Sequence, residues 1–354
     1  MRLPLILALF LAAASWPARA AQTVYPAAGW ANPLDGENPF ARAQALGSAF
    51  AGVADDGSAL YSNPAGLAYL ESPQVLSGTG LWLVDSFEQD LLAAFPLAPG
   101  AGAAVAGRYL GFGSLPGYDA SGTATGSYGA DRLGLSAGAG IELWPGWAAG
   151  LQAQMDRDRL DQTLLTDFTW GLGVLGRLSP RLSLGASFHH AGWGASGQGL
   201  PGILEIGAAW RADLGARQSL LAALGGTWEA GQDGFVQGGL EYGWARVFFL
   251  RLGARRAFQD QGTGIGLTAG AGADLGDLQL DYAYAPYGDL GSSHRFTVGY
   301  RFPPARPAPT PTAVVWPVPP DLPPVPPETE NQPTPVPAGD RLSVAPGQAV
   351  DPLT

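Results

Sequence analysis

The sequence predicts an all-β protein: a transmembrane antiparallel β-barrel of about 14 strands, with an N-terminal helical or loop plug in the lumen and a disordered proline-rich C-terminal tail. Three observations lead to this fold class. Apolar residues alternate with small or polar residues throughout residues 73–302. Only 14% of the residues are charged, whereas the outer faces of a soluble β-sandwich would carry many more charges. No stretch beyond the N-terminus has the roughly 18 consecutive apolar residues of a membrane helix.

The composition argues against several functional classes. The net charge of -11 lacks the basic footprint that a nucleic-acid partner requires. The chain has no cysteine, so thiolate chemistry is excluded, and its three histidines make a histidine-based metal or triad site unexpected. No nucleophile motif such as G-x-S-x-G is present. We therefore predict no enzyme activity, no catalytic residues, no cofactor and no metal site.

Residues 1–20 have the pattern of a secretory signal peptide. Arg2 gives a positive start, and the apolar run that follows, residues 3–14, is too short to span a bilayer. Ala18-Arg19-Ala20 then offers a cleavage site. The mature chain is expected to be exported and to start at Ala21.

Residues 21–72 are predicted to form a plug segment rather than strands. Residues 41–53 (ARAQALGSAFAGV) have small and apolar residues at helical spacing. Asp55 and Asp56 begin a turn after this helix, and Asn63-Pro64-Ala65 marks a second turn. A barrel of this width needs its interior filled, and glycines on the inward face would let a helix approach closely.

Residues 73–302 form the predicted barrel. In the last strand, for example, Phe296, Val298 and Tyr300 share one face, while small and polar residues occupy the other. Apolar side chains would face lipid, and small or polar ones would face the lumen. The predicted strands are 73–84, 87–98, 101–113, 129–142, 147–157, 166–179, 181–193, 202–213, 218–229, 232–243, 246–257, 263–275, 277–287 and 291–302.

The connections predict the topology, because short and long ones alternate along the chain. Short turns on one rim and longer loops on the other are typical of bacterial outer-membrane barrels. An even strand number then places both termini on the short-turn side, which is the periplasm. Tryptophans fall near both rims, as two interfacial belts would require. The long loops are predicted at 114–128, 158–165, 194–201 and 258–262.

Two parts of the chain resemble a known family. Residues 43–56 (AQALGSAFAGVADD), followed by 59–68 (ALYSNPAGLA), look like the N-terminal signature of the PorV/PorQ-like barrels. These barrels are smaller relatives of the FadL long-chain fatty-acid transporters, a superfamily that transports hydrophobic compounds. Residues 280–291 (LDYAYAPYGDLG), with His294-Arg295-Phe296 and Tyr300-Arg301-Phe302, resemble the last two strands of that group.

The resemblance implies an N-terminal segment folded into the lumen and a terminal aromatic insertion signal. The signal would comprise Tyr300 and Phe302 and would be read by the barrel-assembly machinery. The chain departs from the family at its tail, because such barrels usually stop at the terminal phenylalanine and this chain continues through residues 303–354.

The plug supplies the candidate site residues. Asp55 and Asp56 are predicted to fix the plug to inward-facing arginines such as Arg251 or Arg255, unless the two aspartates only cap a turn. Asn63-Pro64-Ala65 has three interpretations: a plug-to-strand junction, a kink beside a lateral opening as in FadL relatives, or an ordinary turn.

The tail, residues 303–354, holds 17 of the 31 prolines and has no periodic apolar pattern. This composition predicts a disordered or polyproline II spacer in the periplasm. Either the tail docks a periplasmic or cell-wall partner, or it is an extension without one.

The leading functional hypothesis is transport of hydrophobic or amphipathic small molecules across the outer membrane by a FadL-like route. One alternative is a PorV-like shuttle or binding barrel in protein secretion or surface assembly. Another is a structural barrel whose tail anchors envelope components. The expected partners are outer-membrane lipid and hydrophobic small molecules, with no nucleic acid.

Overall fold

A computed structural model describes residues 37–81, 86–194, 197, 199–200, 202–229, 234–258, 266–286 and 291–303. The predicted signal peptide, the first part of the predicted plug and residues 304–354 of the predicted tail lie outside these ranges. No helix among the described residues is long and apolar enough to cross a membrane, a finding that does not bear on β-barrels.

The described chain consists mainly of strands. Fifteen strands are present in the described residues, and fourteen of them form one closed barrel; the two-residue strand β8 pairs only with β7. The strands are β1 (Gln74–Leu81), β2 (Phe87–Ala98), β3 (Ala101–Tyr118), β4 (Ala124–Trp144), β5 (Trp147–Leu160), β6 (Thr163–Arg177), β7 (Leu182–Trp193), β8 (Gly199–Leu200), β9 (Ile203–Gly215), β10 (Gln218–Glu229), β11 (Phe235–Trp244), β12 (Phe248–Ala257), β13 (Gly266–Asp274), β14 (Leu278–Pro286) and β15 (Ser292–Arg301).

Every pairing around the barrel is antiparallel, and each barrel strand pairs with its neighbours in the chain. The ring closes between β1 and β15, where Val75 lies opposite Tyr300. Closure leaves no sheet edge, so all ladder groups of the barrel strands find partners within the wall. The predicted 14-strand antiparallel barrel is therefore confirmed.

The strand boundaries agree with the sequence where alternation is strong. Strands were predicted at 87–98 and 218–229, and β2 and β10 have these bounds. The predicted loops at 114–128 and 158–165 were wrong, because the β3–β4 and β5–β6 hairpins continue through most of both. Small and polar residues there still pair in the ladder, although they lack an apolar face. The wall formed by β3 to β6 is therefore taller than the rest.

The two faces of the wall differ in chemistry as predicted. Outward side chains are large, apolar and exposed; Leu250, for example, is 65% exposed and Leu224 is 64% exposed. Inward positions carry glycine, alanine, polar or charged residues, many of them buried. Since a water-facing barrel would show the reverse, this distribution fits a wall that faces lipid.

Three short helices form the described part of the plug: α1 (Ala41–Ala45), α2 (Ala59–Ser62) and a 3-10 helix, η1 (Pro64–Tyr69). The predicted helix over residues 41–53 was too long. Gly47 and Ser48 have φ values of 66° and 65°, in the left-handed region where a right-handed helix cannot continue. The chain turns there and continues without regular helix until α2.

The hydrophobic core lies between the plug and the wall. One cluster joins Leu60 and Leu67 of the plug to Leu92 of β2, and a second joins Phe50 to Leu221 of β10. All five side chains are at most 5% exposed. The barrel is thus stabilised from inside by apolar burial against the plug.

Candidate functional site

The plug occupies the lumen near the short-turn rim and contacts the whole circumference of the wall. Each barrel strand contributes at least one residue that touches or packs against it. These residues are Gln74, Leu92, Gly102, Gly138, Gly150, Gly173, Ser183, Gly207, Leu221, Gln237, Gly253, Thr268, Ala283 and Thr297. The described plug therefore blocks the direct path through this half of the lumen.

Glycines on the wall make this fit possible. A Cβ atom at Gly150 would collide with the backbone of Pro64 and Ala65, and one at Gly185 would collide with the carbonyl oxygen of Ala51. These glycines are needed for close backbone approach, as the sequence predicted for the inward face.

An ionic network ties the plug to the wall. The Arg42 guanidinium on α1 lies 2.6 Å from Asp55 and 3.0 Å from Asp56, both in the plug. It also lies 3.0 Å from Glu241 on β11. On the other side, Asp55 lies 3.2 Å from Arg211 of β9. Arg42 therefore joins two turns of the plug to each other and to the wall.

The two aspartates of this network differ in acidity. Burial alone would raise the pKa of Asp55, but the charges of Arg42 and Arg211 outweigh it and lower the pKa to about 2. Burial raises the pKa of Asp56, and the Asp55 charge adds to this while Arg42 opposes it. Because the folded-state pKa of Asp55 is depressed, its contribution to stability is fully present above the ordinary pKa of an aspartate and is lost as the pH falls from there through about 2.

The predicted partners of these aspartates need correction. Arg251 and Arg255 both face the lumen side, but Arg251 pairs with Glu241 at 2.7 Å and with Asp281 at 2.6 Å. Arg255 pairs with Glu37 at 2.7 Å. Among the described residues, the arginines that hold Asp55 are Arg42 and Arg211. Arg251 reaches the plug indirectly, through the carboxylate it shares with Arg42.

Asn63-Pro64-Ala65 begins the η1 helix. The Asn63 side-chain oxygen accepts a hydrogen bond from the Ala65 amide at 3.2 Å, as an N-cap residue does. Its Nδ2 donates to the carbonyl oxygens of Ala51 at 2.9 Å and Val174 of β6 at 3.0 Å. The motif is thus a helix cap that also clamps the plug to the wall.

Substitution of Asn63 separates the cap from the clamp. Asn63→Asp keeps the acceptor for the Ala65 amide but turns a carboxylate oxygen towards two carbonyls. We expect Asn63→Asp to destabilise the protein by about 1–3 kcal/mol and to do so more than Asn63→Ala. The temperature at which the heat-modifiable gel shift occurs measures this. If Asn63→Asp unfolded at the same temperature as the unsubstituted protein, only the hydrogen bond to the Ala65 amide would contribute to stability.

A second buried ionic cluster, formed by residues of β2, β3 and β15, contacts the plug. Arg108 of β3 lies 2.9 Å from Asp90 and 3.2 Å from Glu88 on β2, and its guanidinium stacks 4.8 Å from the centre of the Tyr61 ring. Arg295 of β15 also pairs with Glu88, at 2.7 Å. These pairs keep the buried carboxylates compensated.

The wall is irregular at the β6–β7 seam. Trp170 lies opposite Ala191 and Leu172 opposite Phe188, so β7 has one extra residue, a β-bulge. His190 in this bulge has a φ of 60°. In a regular strand His189 and His190 would point to opposite faces, but with the bulge both are buried, at 1% and 8% exposure.

Tyr300 and Phe302 lie at the end of the last strand. Their side chains are 41% and 44% exposed, and their rings make an edge contact with centroids 4.8 Å apart. The Phe302 amide donates to the carbonyl oxygen of Pro73 at 2.8 Å, next to the start of β1. Their role as an insertion signal remains a prediction.

Several site residues were missed at the sequence level. Arg42 was treated only as part of a helix, although an arginine in an apolar segment is a signal of a buried partner. Glu241 and Arg211 sit at inward positions of alternating strands, and that parity could have identified them as facing the plug.

These features define a class: a closed, plugged β-barrel whose outer face is apolar. No protein-family model matches the chain, and no curated protein matches it. Solved structures do match it.

The chain is similar to two structures of TodX and to one of CymD. A TodX monoaromatic hydrocarbon channel mutant matches with a TM-score of 0.58 at 12% identity, over 76% of this chain and 99% of that chain. The P. putida toluene transporter TodX matches with a TM-score of 0.55 at 12% identity, over 76% and 99%. The CymD monoaromatic hydrocarbon channel matches with a TM-score of 0.52 at 11% identity, over 77% and 99%. The chain has the fold of these channels, which agrees with the barrel fold that the FadL resemblance implies; the PorV/PorQ side of the resemblance remains a prediction.

Proposed function

We propose that the protein carries hydrophobic or amphipathic small molecules across the outer membrane. The observation that carries this proposal is a closed, lipid-facing barrel whose lumen is blocked towards the short-turn rim by a plug anchored on every strand. The fold likeness to channels described as transporting toluene and monoaromatic hydrocarbons supports the same substrate class. These neighbours are channels, which supports transport rather than catalysis.

A route can be proposed from the geometry. A compound entering from the long-loop rim meets the plug and cannot continue straight through the lumen. The bulge between β6 and β7 weakens the ladder beside the plug, where Asn63 contacts β6. A hydrophobic compound that leaves sideways through this seam enters lipid directly and avoids water.

The remaining topology follows the strand count. We place both termini and the short-turn rim in the periplasm, with the hairpins of β3 to β6 outside the cell. Assembly would proceed through the barrel-assembly machinery with Tyr300 and Phe302 as its signal. The tail would then be available to a periplasmic or cell-wall partner.

A reversible cross-link tests transport and route together, because the chain has no cysteine. Leu172 and Phe188 are Cα partners across the seam, next to the bulge. A disulfide between Leu172→Cys and Phe188→Cys should slow the accumulation of radiolabelled toluene in a Gram-negative host, and a reductant should restore it. Cells making the unmodified barrel should accumulate toluene faster than cells with an empty vector.

The matched control places the same disulfide on a regular seam. Ala137 and Ala153 are Cα partners between β4 and β5, and locking them should leave uptake unchanged. Uptake no faster than with the empty vector would rule out the proposed function. Normal uptake with the β6–β7 seam locked would place the exit elsewhere.

A further inference from the structure

A group of polar side chains lies one step beyond the plug. Three wall residues contact the plug: Gly150 on β5, Ser187 on β7 and Gly207 on β9. Two positions further from the short-turn rim, on the same inward face of each strand, lie Gln152, His189 and Glu205. We name Gln152, His189 and Glu205 the upper-lumen polar site.

Gly171 brings two of these side chains together. It lies on β6, between β5 and β7, and a Cβ atom there would lie 2.9 Å from His189 Cβ and 3.0 Å from Gln152 Cγ. Without a side chain at Gly171, Gln152 and His189 approach each other across the middle strand. His189 has the same inward parity as Ser183 and Ser187, and the bulge follows it at His190.

The site has unused hydrogen-bonding capacity. His189 is 1% exposed, and neither of its ring nitrogens has a hydrogen-bond partner among the described residues. Gln152 is 5% exposed, and its Oε1 likewise has no donor there. Buried polar atoms are nearly always bonded in native proteins, so several unpaired atoms in one place indicate a ligand group.

Neighbouring side chains do not share this property. Ser187 Oγ donates to the Ser62 carbonyl oxygen of the plug at 2.6 Å. Gln154, the next inward residue on β5, donates to Asp156 at 2.7 Å and accepts from Ser136 at 3.1 Å. The unused capacity of Gln152 and His189 is therefore not shared by Ser187 and Gln154, their neighbours on the same inward face.

The charge of the site selects the ligand group. The carboxylate of Glu205 lies 3.7 Å from His189 Nε2, too far for a hydrogen bond but close enough to act electrostatically. An anionic head group would be repelled by this carboxylate. A plain hydrocarbon would leave Gln152 Oε1 and the His189 ring nitrogens unpaired. A hydroxyl group can donate to Gln152 Oε1 and accept from a His189 N–H.

The apolar part of such a ligand also has a neighbour. Ile203 lies two residues beyond Glu205 on the same inward face, is opposite His189 in the ladder and is 7% exposed. The polar side chain of His189 and the apolar side chain of Ile203 thus lie on neighbouring strands. This is the arrangement that an alcohol or phenol with an apolar body requires.

We propose that the upper-lumen polar site binds the hydroxyl group of hydrophobic alcohols and phenols. The proposal deepens the proposed function, on which it rests, because it names the substrate class within it. Binding next to the β6–β7 bulge would hold such a compound where the wall is irregular.

Calorimetry with the full-length protein in lipid nanodiscs tests the proposal, with empty nanodiscs subtracted. The probes are benzyl alcohol, toluene and benzoate, which share a ring and differ in the polar group. Benzyl alcohol should bind about tenfold more tightly than toluene. Benzoate should not bind the unsubstituted protein and should gain binding in Glu205→Gln.

Two variants remove the unpaired atoms. Gln152→Leu and His189→Phe should each weaken benzyl alcohol binding about tenfold and leave toluene binding unchanged. The matched control is Gln154→Leu, the same substitution on the same face of the same strand, which should change neither affinity. Heat-modifiable gel migration confirms folding of each variant, and Gln152→Leu suffices if His189→Phe does not fold.

The outcomes separate the two proposals. Equal affinity for benzyl alcohol and toluene, or no binding of benzyl alcohol, would overturn the hydroxyl site while toluene uptake could still proceed. Equal losses for both probes in Gln152→Leu would show a structural effect and also overturn it. Failure of toluene uptake in cells, by contrast, would rule out the proposed function. The calorimetry would still show whether the upper-lumen polar site binds a hydroxyl group.

Discussion

Deletion of residues 31–60 is expected to open a water-filled path through the barrel. The deletion removes α1, the chain after it and the first half of α2, which lie in the lumen near the short-turn rim, and it leaves every barrel strand in place. A barrel of this strand number is wider than its own inward side chains can fill. Conductance in planar bilayers should therefore rise manyfold above that of the full-length protein.

The control for this deletion removes a segment outside the lumen. The β3–β4 turn at Asp119–Thr123 is exposed and closes on itself, with Asp119 accepting bonds from the Ser121 and Thr123 amides. Replacing it with a shorter glycine turn should leave conductance unchanged. Equal conductance of the plug deletion and the full-length protein would show that the plug does not control passage.

Arg42→Met is expected to release the plug without removing it. The substitution leaves the largely buried Asp56 without its cation, whereas Asp55 keeps Arg211 and Glu241 keeps Arg251. Breaking a buried pair in this way costs about 3–5 kcal/mol. A cysteine at Ala49, which is 4% exposed, reports the opening, because the chain has no other cysteine. Maleimide labelling should accelerate about a hundredfold or more.

Arg159→Met is the matched control for this variant. Arg159 pairs with Asp131 on the tall hairpin wall, but its side chain is 55% exposed, so solvent screens the pair. Labelling of the Ala49→Cys reporter should not change. If both arginine variants labelled at the same rate, the Arg42 network would not hold the plug.

The strands could be predicted from the sequence for a physical reason. In a barrel wall every residue faces either lipid or lumen, so alternation persists along each strand and survives without an alignment. It failed at residues 114–128 because the hairpin there extends beyond the apolar band. It failed in the plug for a different reason: helical spacing over residues 41–53 said nothing about the left-handed backbone at Gly47 and Ser48.

The site could be predicted only in part from the sequence. Alternation shows which side chains face the lumen, but it does not show which of them the plug contacts. Arg211, Arg251 and Arg255 are all near the inward side of their strands, and only the seating of the plug decides which one meets Asp55. Alternation places Gln152, His189 and Glu205 on the inward face, but it does not show that their side chains lie close together. Alternation also does not show the extra residue in β7 that buries His190 beside His189.

The contact of the plug with every strand also constrains how the chain assembles. The Ala41 amide donates to Thr297 on the last strand, a separation of 256 residues, and the Pro39 carbonyl oxygen accepts from Arg295 over the same separation. These bonds cannot form until β15 exists. The plug therefore reaches its final position only after the last strand of the wall is in place, and the long sequence separation of these contacts delays that step.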